Sequence, residues 1–427
     1  MKKQTLRYTV LSLLTFLSTC LYLFANTNLP QDECPKKSLD LNTEVEADHS
    51  LAYLNQLRLG AGLIPLTENI SLGLAAQNHA DYLIKNKKIG HYEEAKYRGY
   101  TGEYGSNRAI QTGYKTPMII ENVSSNNLNY QESIDGLMGA IYHRFGFLDF
   151  HIDEIGIGVH QDPNNPYQTA FVYDMGNQAL NNLCTTPQQT QDKKPLVKVC
   201  ANPKITFSKK RFFNAINSNS KLNHPLITYP YNGQSDIPPA FYEELPDPLP
   251  EHSVSGFPIS VSFDESHFKS IEMLSFKLYD STGKELTDTL QYNQQTDPNH
   301  KLKKFEFALF PLQRLAWNHT YKVKIQYKAD KKREEKTWYF KTRTFQEPLH
   351  AVTAKHHHFK LIKGEAAIFY FPPHSPHDIL PSLRYPASLD INFVDKNTIK
   401  ITAKQAFKNR LILHIGSHQL SLDIINP

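Results

Sequence analysis

The sequence lacks the residues and motifs that mark several common classes of enzyme. Only four of the 427 residues are cysteine, which is too few, at these spacings, for a zinc module built from thiolates. No HExxH motif and no GxSxG motif occurs, so the sequence shows neither a zincin site nor a serine nucleophile. We interpret the basic residues as scattered rather than clustered with aromatics, and therefore expect no nucleic-acid partner.

Length and composition predict a globular protein of two or three domains. The chain has 427 residues, and a domain usually takes about 150. Hydrophobic content of 40% and charged content of 21% are ordinary for folded proteins. Residues 45–178 contain 9 Lys and Arg against 15 Asp and Glu, so the net charge of +5 originates elsewhere. We expect the basic β modules to contact envelope polymers or surface partners.

The N-terminus predicts export. Lys2, Lys3 and Arg7 precede an uncharged apolar run at 8–25, which matches the charged and apolar regions of a signal peptide at residues 1–25. The run is also about as long as a spanning helix requires, so an uncleaved anchor stays open. Residues 26–46 read as a polar spacer. The protein is expected to be extracytoplasmic, whether secreted, periplasmic or surface-associated.

The cysteines outside the apolar run predict one disulfide. Cys184 and Cys200 enclose a short polar, Lys-rich segment that a disulfide would hold as a loop, and disulfides form in exported proteins. Cys34 is then either unpaired or the true partner of one of them.

Residues 47–180 have the pattern of an α+β domain. Leu51, Leu54 and Leu57 recur at helical spacing from Asp48, and Gly60-Ala61-Gly62 ends that helix. A second helix follows Pro65, with His79 expected to be packed and hydrogen-bonded, and a third is predicted at 130–145. Ile155, Ile157 and Val159 alternate as in a strand, and a hairpin through residues 163–166 closes the domain.

One stretch of this domain contains the candidate site residues. His91 follows the second helix directly, at a junction where a side chain can enter a cleft. The Gly- and Tyr-rich residues up to Pro117 show no sustained period, which is typical of a functional loop. The Glu121-Asn122 pair and His143-Arg144, at the end of the third helix, complete the set. Two imidazoles and a carboxylate can meet only if the fold brings three local structures together.

The remaining chain is predicted to be mostly β. Eight prolines between Pro225 and Pro258 favour an extended linker at 181–257. Short β runs at 259–263, 273–279, 304–310, 321–327 and 337–342 predict a β-sandwich at 258–346, and residues 347–427 form a small C-terminal β domain or an extension of it. The histidines at 356–358, 374 and 377 fall in predicted loops without acidic partners, so we do not favour a metal site there.

The first domain resembles the CAP superfamily of cysteine-rich secretory, antigen 5 and pathogenesis-related proteins, most closely its bacterial branch. The resemblance rests on six short motifs in order, covering about a third of the chain: residues 54–58, residues 62–66, His91, Glu121-Asn122, His143-Arg144 and residues 155–159. The next domain resembles a bacterial immunoglobulin-like module. The resemblance implies an α-β-α sandwich with a cleft in which two histidines and two acidic residues can take a divalent cation.

By this resemblance, His91, Glu121 and His143 occupy three of the four cation positions, with Zn or Mg as the candidate ion. The fourth position has no match, because Glu132 lies roughly 16 Å from His143 along a continuous helix. The resemblance favours a protein that binds an envelope ligand, such as a lipid, a glycan or a peptide. The alternatives are a metal-dependent hydrolase that uses the same residues and a catalytically silent structural or adhesion protein; we favour binding over catalysis.

Overall fold

The computed structural model describes residues 40–185, 190, 192–383, 385–406 and 410–427. Within it, Asn42–Pro427 form one compact unit. The predicted signal peptide, most of the predicted spacer and Cys34 lie outside the described residues. Among the residues that are described, no helix is both long and apolar enough to cross a membrane.

The first part of the compact unit contains five helices and a four-stranded sheet. The helices are α1 (Thr43–Ala61), α2 (Ile70–Asn86), α3 (Gly105–Gln111), α4 (Tyr130–Gly139) and α5 (Ile141–Phe147), and the strands are β1 (Thr67–Glu68), β2 (Ile120–Ser125), β3 (Glu154–Asp162) and β4 (Asn165–Gly176). The sheet order is β1-β3-β4-β2, with β1 parallel to β3 and the other pairs antiparallel. Strand β2 is therefore at one edge of the sheet.

Helices cover both faces of this sheet. On one face, Val123 and Val172 pack with Ala76 and Ala80 of α2. On the other face, the Tyr173 hydroxyl bonds to Ser133 of α4 at 2.8 Å. The alternation of side chains along each strand separates the two sets. The predicted α-β-α sandwich is confirmed.

Two glycines of β3 explain how closely α2 packs on the sheet. A Cβ on Gly156 would lie 2.0 Å from the backbone of Leu72, and one on Gly158 would lie 2.3 Å from the backbone of Ala76. Any larger residue would push the helix away from the strand. The Ile-Gly-Ile-Gly pattern therefore combines apolar residues on one face with direct helix–backbone contact on the other.

Helix α1 begins earlier than predicted and ends as predicted. It starts at Thr43, inside the predicted spacer, with Asn42 as the capping residue, and ends at Gly62 in a left-handed conformation with φ of 96°. Its buried Arg58 donates to the carbonyls of Ile64, Phe147 and Ile152. Burial lowers the pKa of Arg58 to about 10.

A disulfide-linked segment follows the first domain. Helices α6 (Gln178–Leu183) and α7 (Lys209–Ile216) flank a small apolar cluster that contains Leu180, Phe207 and the disulfide, with Phe212 of α7 packed against it. Cys184 and Cys200 are bonded, with their Cα atoms 5.4 Å apart. The predicted pairing is confirmed, and it is consistent with an oxidising, extracytoplasmic environment.

The next part is a β-sandwich of two four-stranded sheets. One has the order β11-β12-β9-β5 and the other β10-β13-β14-β6. Phe263 and Tyr327 meet across them with ring centroids 4.9 Å apart. The strands are β5 (Leu226–Tyr229), β6 (Gln234–Ile237), β9 (Ile259–Phe263), β10 (Ile271–Tyr279), β11 (Thr289–Tyr292), β12 (Glu306–Pro311), β13 (Thr320–Ala329) and β14 (Lys332–Thr342), with β7 (Ala240–Phe241) and β8 (Ser255–Gly256) as a separate pair. The predicted strands are confirmed, with shifts of up to five residues at their ends.

The predicted linker at 181–257 is wrong, because this segment supplies strands to both sheets. Strand β5 pairs with β9, and β6 pairs in parallel with β14. Pro225 and Pro230 flank β5, and Pro238 follows β6 directly. Proline lacks the N–H group that a ladder requires, so here it marks the strand ends and does not exclude strands.

The C-terminal residues form two further sheets around one core. Their orders are β15-β17-β19-β18 and β16-β21-β20. The strands are β15 (Leu349–Ala351), β16 (His356–Ile362), β17 (Ala366–Tyr370), β18 (Leu389–Asp395), β19 (Thr398–Ala403), β20 (Leu411–Ile415) and β21 (His418–Ile425). The loop predicted at 356–358 is wrong, because these histidines begin β16, which pairs in parallel with β21.

Candidate functional site

His91 and Glu121 lie together at the edge of the first sheet. The His91 Nδ1 atom is 3.0 Å from Glu121 Oε1. Arg108 of α3 donates to Glu121 Oε2 at 2.5 Å and to the carbonyl of His91 at 3.1 Å. Both carboxylate oxygens of Glu121 are thus already engaged. The close approach of α3 depends on Gly105, where a Cβ would come within 2.8 Å of Glu121 Oε2.

A second buried carboxyl, Asp174, lies beside Glu121. The two residues are paired across β2 and β4. Asp174 is fully buried, and neither of its carboxyl oxygens has a hydrogen-bond partner among the described residues. Burial, followed by the charge of Glu121, raises the pKa of Asp174 well above 3.8. Burial would also raise the pKa of Glu121, but the hydrogen bond from His91 and the charge of Arg108 lower it to about 2.

The loop after His91 is anchored by an inner group of polar side chains. His79 is fully buried, with Nδ1 3.0 Å from Glu93 Oε1 and Nε2 3.0 Å from the Gly90 carbonyl oxygen. Glu93 Oε2 accepts from the Thr101 amide at 2.6 Å. The packed role predicted for His79 is confirmed, and its contacts fix the chain on both sides of His91. The predicted loop is interrupted by α3, which supplies Arg108.

The second histidine is positioned by a residue of the β-sandwich region. His143 Nδ1 is 2.7 Å from Glu244 Oε1, which also accepts from the amides of Tyr142 at 2.9 Å and of His143 at 3.1 Å. The helix predicted at 130–145 is broken at Ala140, where ψ is 115°. The side chain of Glu244 is fully buried and caps the new helix that begins at Ile141.

The two imidazoles lie next to each other at the sheet edge. Their ring centroids are 6.0 Å apart and their planes differ by 14°. The side chain of His91 is 39% exposed and that of His143 is 16% exposed. Each Nδ1 faces a carboxylate, whereas neither Nε2 has a hydrogen-bond partner in the part of the chain that the structure describes. We call His91 and His143 the histidine pair.

The predicted set of three cation ligands does not fit this geometry. Glu121 has both oxygens occupied by His91 and Arg108, so it supports His91 from behind. Within the described ranges, no three His, Cys, Asp or Glu side chains are grouped so as to hold a metal ion. The two Nε2 atoms are the atoms of the predicted set that can still act as ligands. Imidazole suits Zn better than Mg, which prefers oxygen.

Comparison with known proteins identifies this part of the chain. Residues 51–175 match the family model described as "CAP: Cysteine-rich secretory protein family". Residues 51–175 are a CAP domain. A comparison with curated proteins found no match.

Solved structures similar to the chain include two whose matches cover about a third of it. An outer surface protein from Borrelia burgdorferi has 18% identity and a TM-score of 0.28, over 32% of this chain and 95% of that chain. An extracellular protein containing an SCP domain, from Bacillus anthracis, has 14% identity and a TM-score of 0.27, over 31% of this chain and 40% of that chain. A chimeric titin tandem matches with 17% identity and a TM-score of 0.12, over 39% of this chain and 90% of that chain. At these TM-scores the likenesses carry no argument about function.

Two residues predicted to line the cleft of the CAP domain are buried and have other contacts. Asn122 is 2% exposed and donates to the His143 carbonyl at 2.8 Å, so it positions α5. Arg144 is fully buried and donates to the Pro258 carbonyl at 2.7 Å. Burial lowers the pKa of Arg144 to about 9. Arg144 therefore joins the CAP domain to the β-sandwich.

Sequence reasoning missed Arg108, Asp174 and Glu244. Arg108 lies within the segment that was predicted to be a loop. Asp174 follows the apolar residues of β4, and an acidic residue in a predicted buried strand is the one feature that could have indicated it. Glu244 is 101 residues from His143 in a segment read as linker, and no local pattern relates the two. Glu132, the nearest glutamate upstream of His143 on the predicted helix, instead accepts from the Leu128 amide at 2.8 Å at the start of α4.

Proposed function

We propose that this CAP domain is the binding module of an extracytoplasmic protein, and that the histidine pair anchors a ligand of the cell envelope. The observation that supports the proposal most directly is the arrangement of the two imidazoles. Each ring is oriented by a carboxylate at Nδ1, and each Nε2 is left available beside a partly exposed surface. A side chain whose orientation is fixed in advance loses less entropy on binding.

Two exposed tyrosines of the loop that follows His91 favour a glycan over a lipid or a peptide. Tyr92 follows His91 in sequence and is 63% exposed, and Tyr104 contacts it edge-on with ring centroids 5.3 Å apart and is 47% exposed. Flat aromatic faces and nearby imidazole nitrogens together suit a sugar ring, which presents both apolar C–H and hydroxyl groups.

A divalent cation, in this proposal Zn, would be held by the Nε2 atoms of His91 and His143. Glu121 and Glu244 would orient the rings, as carboxylates commonly do behind metal-bound histidines. The bound ion would offer open positions to ligand oxygen atoms. The histidine pair can also hydrogen-bond ligand oxygen atoms directly, so the experiment has to separate binding through a cation from direct binding.

Calorimetric titration with zinc, followed by an array of envelope glycans, lipids and peptides with and without zinc, tests the proposal. The protein is the chain from Asp40, which contains the whole compact unit. The test variant is His91→Ala/His143→Ala, and His160→Ala is the matched control, because His160 is a partly exposed histidine of the same domain that bonds to Asp81.

We expect the array to show binding that the double variant loses and the control retains. Binding that also requires zinc would assign the cation-mediated mode. The proposal fails if no array component binds, or if binding survives loss of both histidines in a variant that circular dichroism shows to be folded.

A further inference from the structure

The net positive charge of the chain comes mainly from one short segment. Residues 192–224, which we call the basic segment, contain eight Lys and Arg residues and one acidic residue, Asp192. The rest of the chain contains 39 Lys and Arg against 41 Asp and Glu, and the β modules at 225–427 contain 25 against 22. The expectation that basic residues are scattered, with the excess in the β modules, is therefore wrong.

The lysines of the basic segment are free of ion pairs. All seven are exposed, and none forms an ion pair with any residue in the described ranges: Lys193, Lys194, Lys198, Lys204, Lys209, Lys210 and Lys221. In contrast, Lys277, Lys324 and Lys396 of the β modules each lie within 3.1 Å of a glutamate oxygen. The seven lysines of the basic segment therefore present their charge without an ion-pair partner among the described residues.

The basic segment is held rigidly on the CAP domain. Besides the disulfide, Thr116 donates to the Val199 carbonyl at 2.6 Å, and the Ala201 amide donates to the Lys115 carbonyl at 2.8 Å. Asn219 donates to Asp153 Oδ2 at 2.7 Å. Binding through this segment loses little conformational entropy, because its backbone is already fixed.

Helix α7 brings cations together with an exposed aromatic residue. Lys209 and Lys210 occupy its first turn, which has no acidic residue. Cations at a helix N-terminus oppose the helix dipole, so helix stability does not explain their position. Phe213, in the same helix, is 54% exposed. Val197 and Leu222 of the same segment are 57% and 67% exposed.

We propose that the basic segment docks on membranes that contain anionic phospholipids. The lysines of the segment and the anionic headgroups attract each other. The exposed apolar side chains of the same segment suit the boundary between headgroups and acyl chains. A soluble polyanion such as a nucleic acid or an envelope polymer would use the charge but would leave Val197, Phe213 and Leu222 in water. This inference does not depend on the proposed function of the histidine pair.

Vesicle co-sedimentation tests the inference. The protein is the chain from Asp40, because the apolar run at 8–25 could itself bind vesicles. The vesicles consist of phosphatidylcholine alone or of phosphatidylcholine with phosphatidylglycerol. The test variants are Lys209→Gln/Lys210→Gln and Phe213→Ala. The matched control is Lys331→Gln/Lys332→Gln, which removes two lysines that are also exposed, from a Lys-Lys-Arg run that precedes Glu334 and Glu335.

We expect binding only to vesicles with phosphatidylglycerol, and its loss in molar salt. Neutralising Lys209 and Lys210 should weaken binding roughly 25-fold, since each basic residue near an anionic surface strengthens binding about fivefold. Phe213→Ala by itself should also weaken binding, and the control should bind like the parent chain. Equal effects of the two lysine pairs, or binding without phosphatidylglycerol, would overturn the proposal. Tighter binding to DNA or polyglutamate than to vesicles, unaffected by Phe213→Ala, would assign the segment to soluble polyanions instead.

Discussion

Replacing Glu244 with Ala is expected to destabilise the chain and to release His143. Glu244 Oε1 accepts from His143 Nδ1 and from the amides of Tyr142 and His143, and the Glu244 side chain has no solvent exposure. The substitution leaves a ring nitrogen and two helix-terminal amides without their acceptor. These groups cannot all turn to water, because the joint between α5 and the β-sandwich is packed by Ile141, Phe241 and Phe310.

The expected loss is about 3–5 kcal/mol in the free energy of unfolding. A hydrogen bond to a charged group contributes roughly 1.5–3 kcal/mol, and three donors that share one oxygen contribute less than three times that amount. Removing one partner of a buried pair commonly costs about 3–5 kcal/mol, which sets the same range. Glu244→Gln retains an oxygen acceptor for the amides, so its loss should be about 1 kcal/mol.

Urea unfolding of the chain from Asp40 measures these differences. Glu243→Ala is the matched control, because its side chain is 73% exposed and pairs with Lys396 at the surface; its effect should stay within about 0.5 kcal/mol. A double-mutant cycle of Glu244→Ala with His143→Ala should give a coupling of about 1–3 kcal/mol. A loss below 1 kcal/mol for Glu244→Ala, or a coupling near zero, would refute the bracing role of Glu244.

Three further predictions follow from buried groups. Burial, together with a neighbouring carboxylate, raises the pKa of Asp174, so the folded chain binds a proton that the unfolded chain has released. The free energy of unfolding therefore falls by up to about 1.4 kcal/mol per pH unit as the pH rises from 3.8 toward the folded pKa. Urea titrations across pH should show that Asp174→Asn removes this fall. Gly158→Ala should cost at least about 2 kcal/mol, because its Cβ would lie 2.3 Å from the Ala76 backbone. Cys184→Ser/Cys200→Ser should lower stability by about 3 kcal/mol, as expected for a closed loop of sequence separation 16.

Each of these predictions has a control within the chain. Asp48→Asn changes an exposed acid of α1 and should leave the pH profile of stability unaltered. Gly136→Ala should be neutral or slightly stabilising, since nothing lies within 4 Å of its Cβ in α4. Reductant should destabilise the parent chain and leave the serine double variant unchanged. A stable Gly158→Ala chain would mean that α2 is not in backbone contact with β3.

Much of the CAP domain could be read from the sequence because its information is local. The helical spacing of Leu51, Leu54 and Leu57 and the alternation around Gly156 and Gly158 depend only on residues near one another in the chain. The family resemblance implied that His91 and Glu121 share one cleft, and the structure places His91 Nδ1 3.0 Å from Glu121 Oε1. The prediction of a linker failed because proline marks the ends of strands as well as the absence of strands.

The sequence by itself determined helices α1 and α2, the strand pattern of β3, β4, β9, β10 and β12 to β14, the disulfide pairing and the two imidazoles of the site. Only the tertiary structure decided how these imidazoles are held. Arg108 occupies the second oxygen of Glu121. Glu244, 101 residues from His143 in the chain, accepts from the first amides of the helix that begins after Ala140 and orients His143. The physical reason is that periodicity and capping act over a few residues, whereas a buried carboxylate accepts from whichever donors the packed fold brings to it.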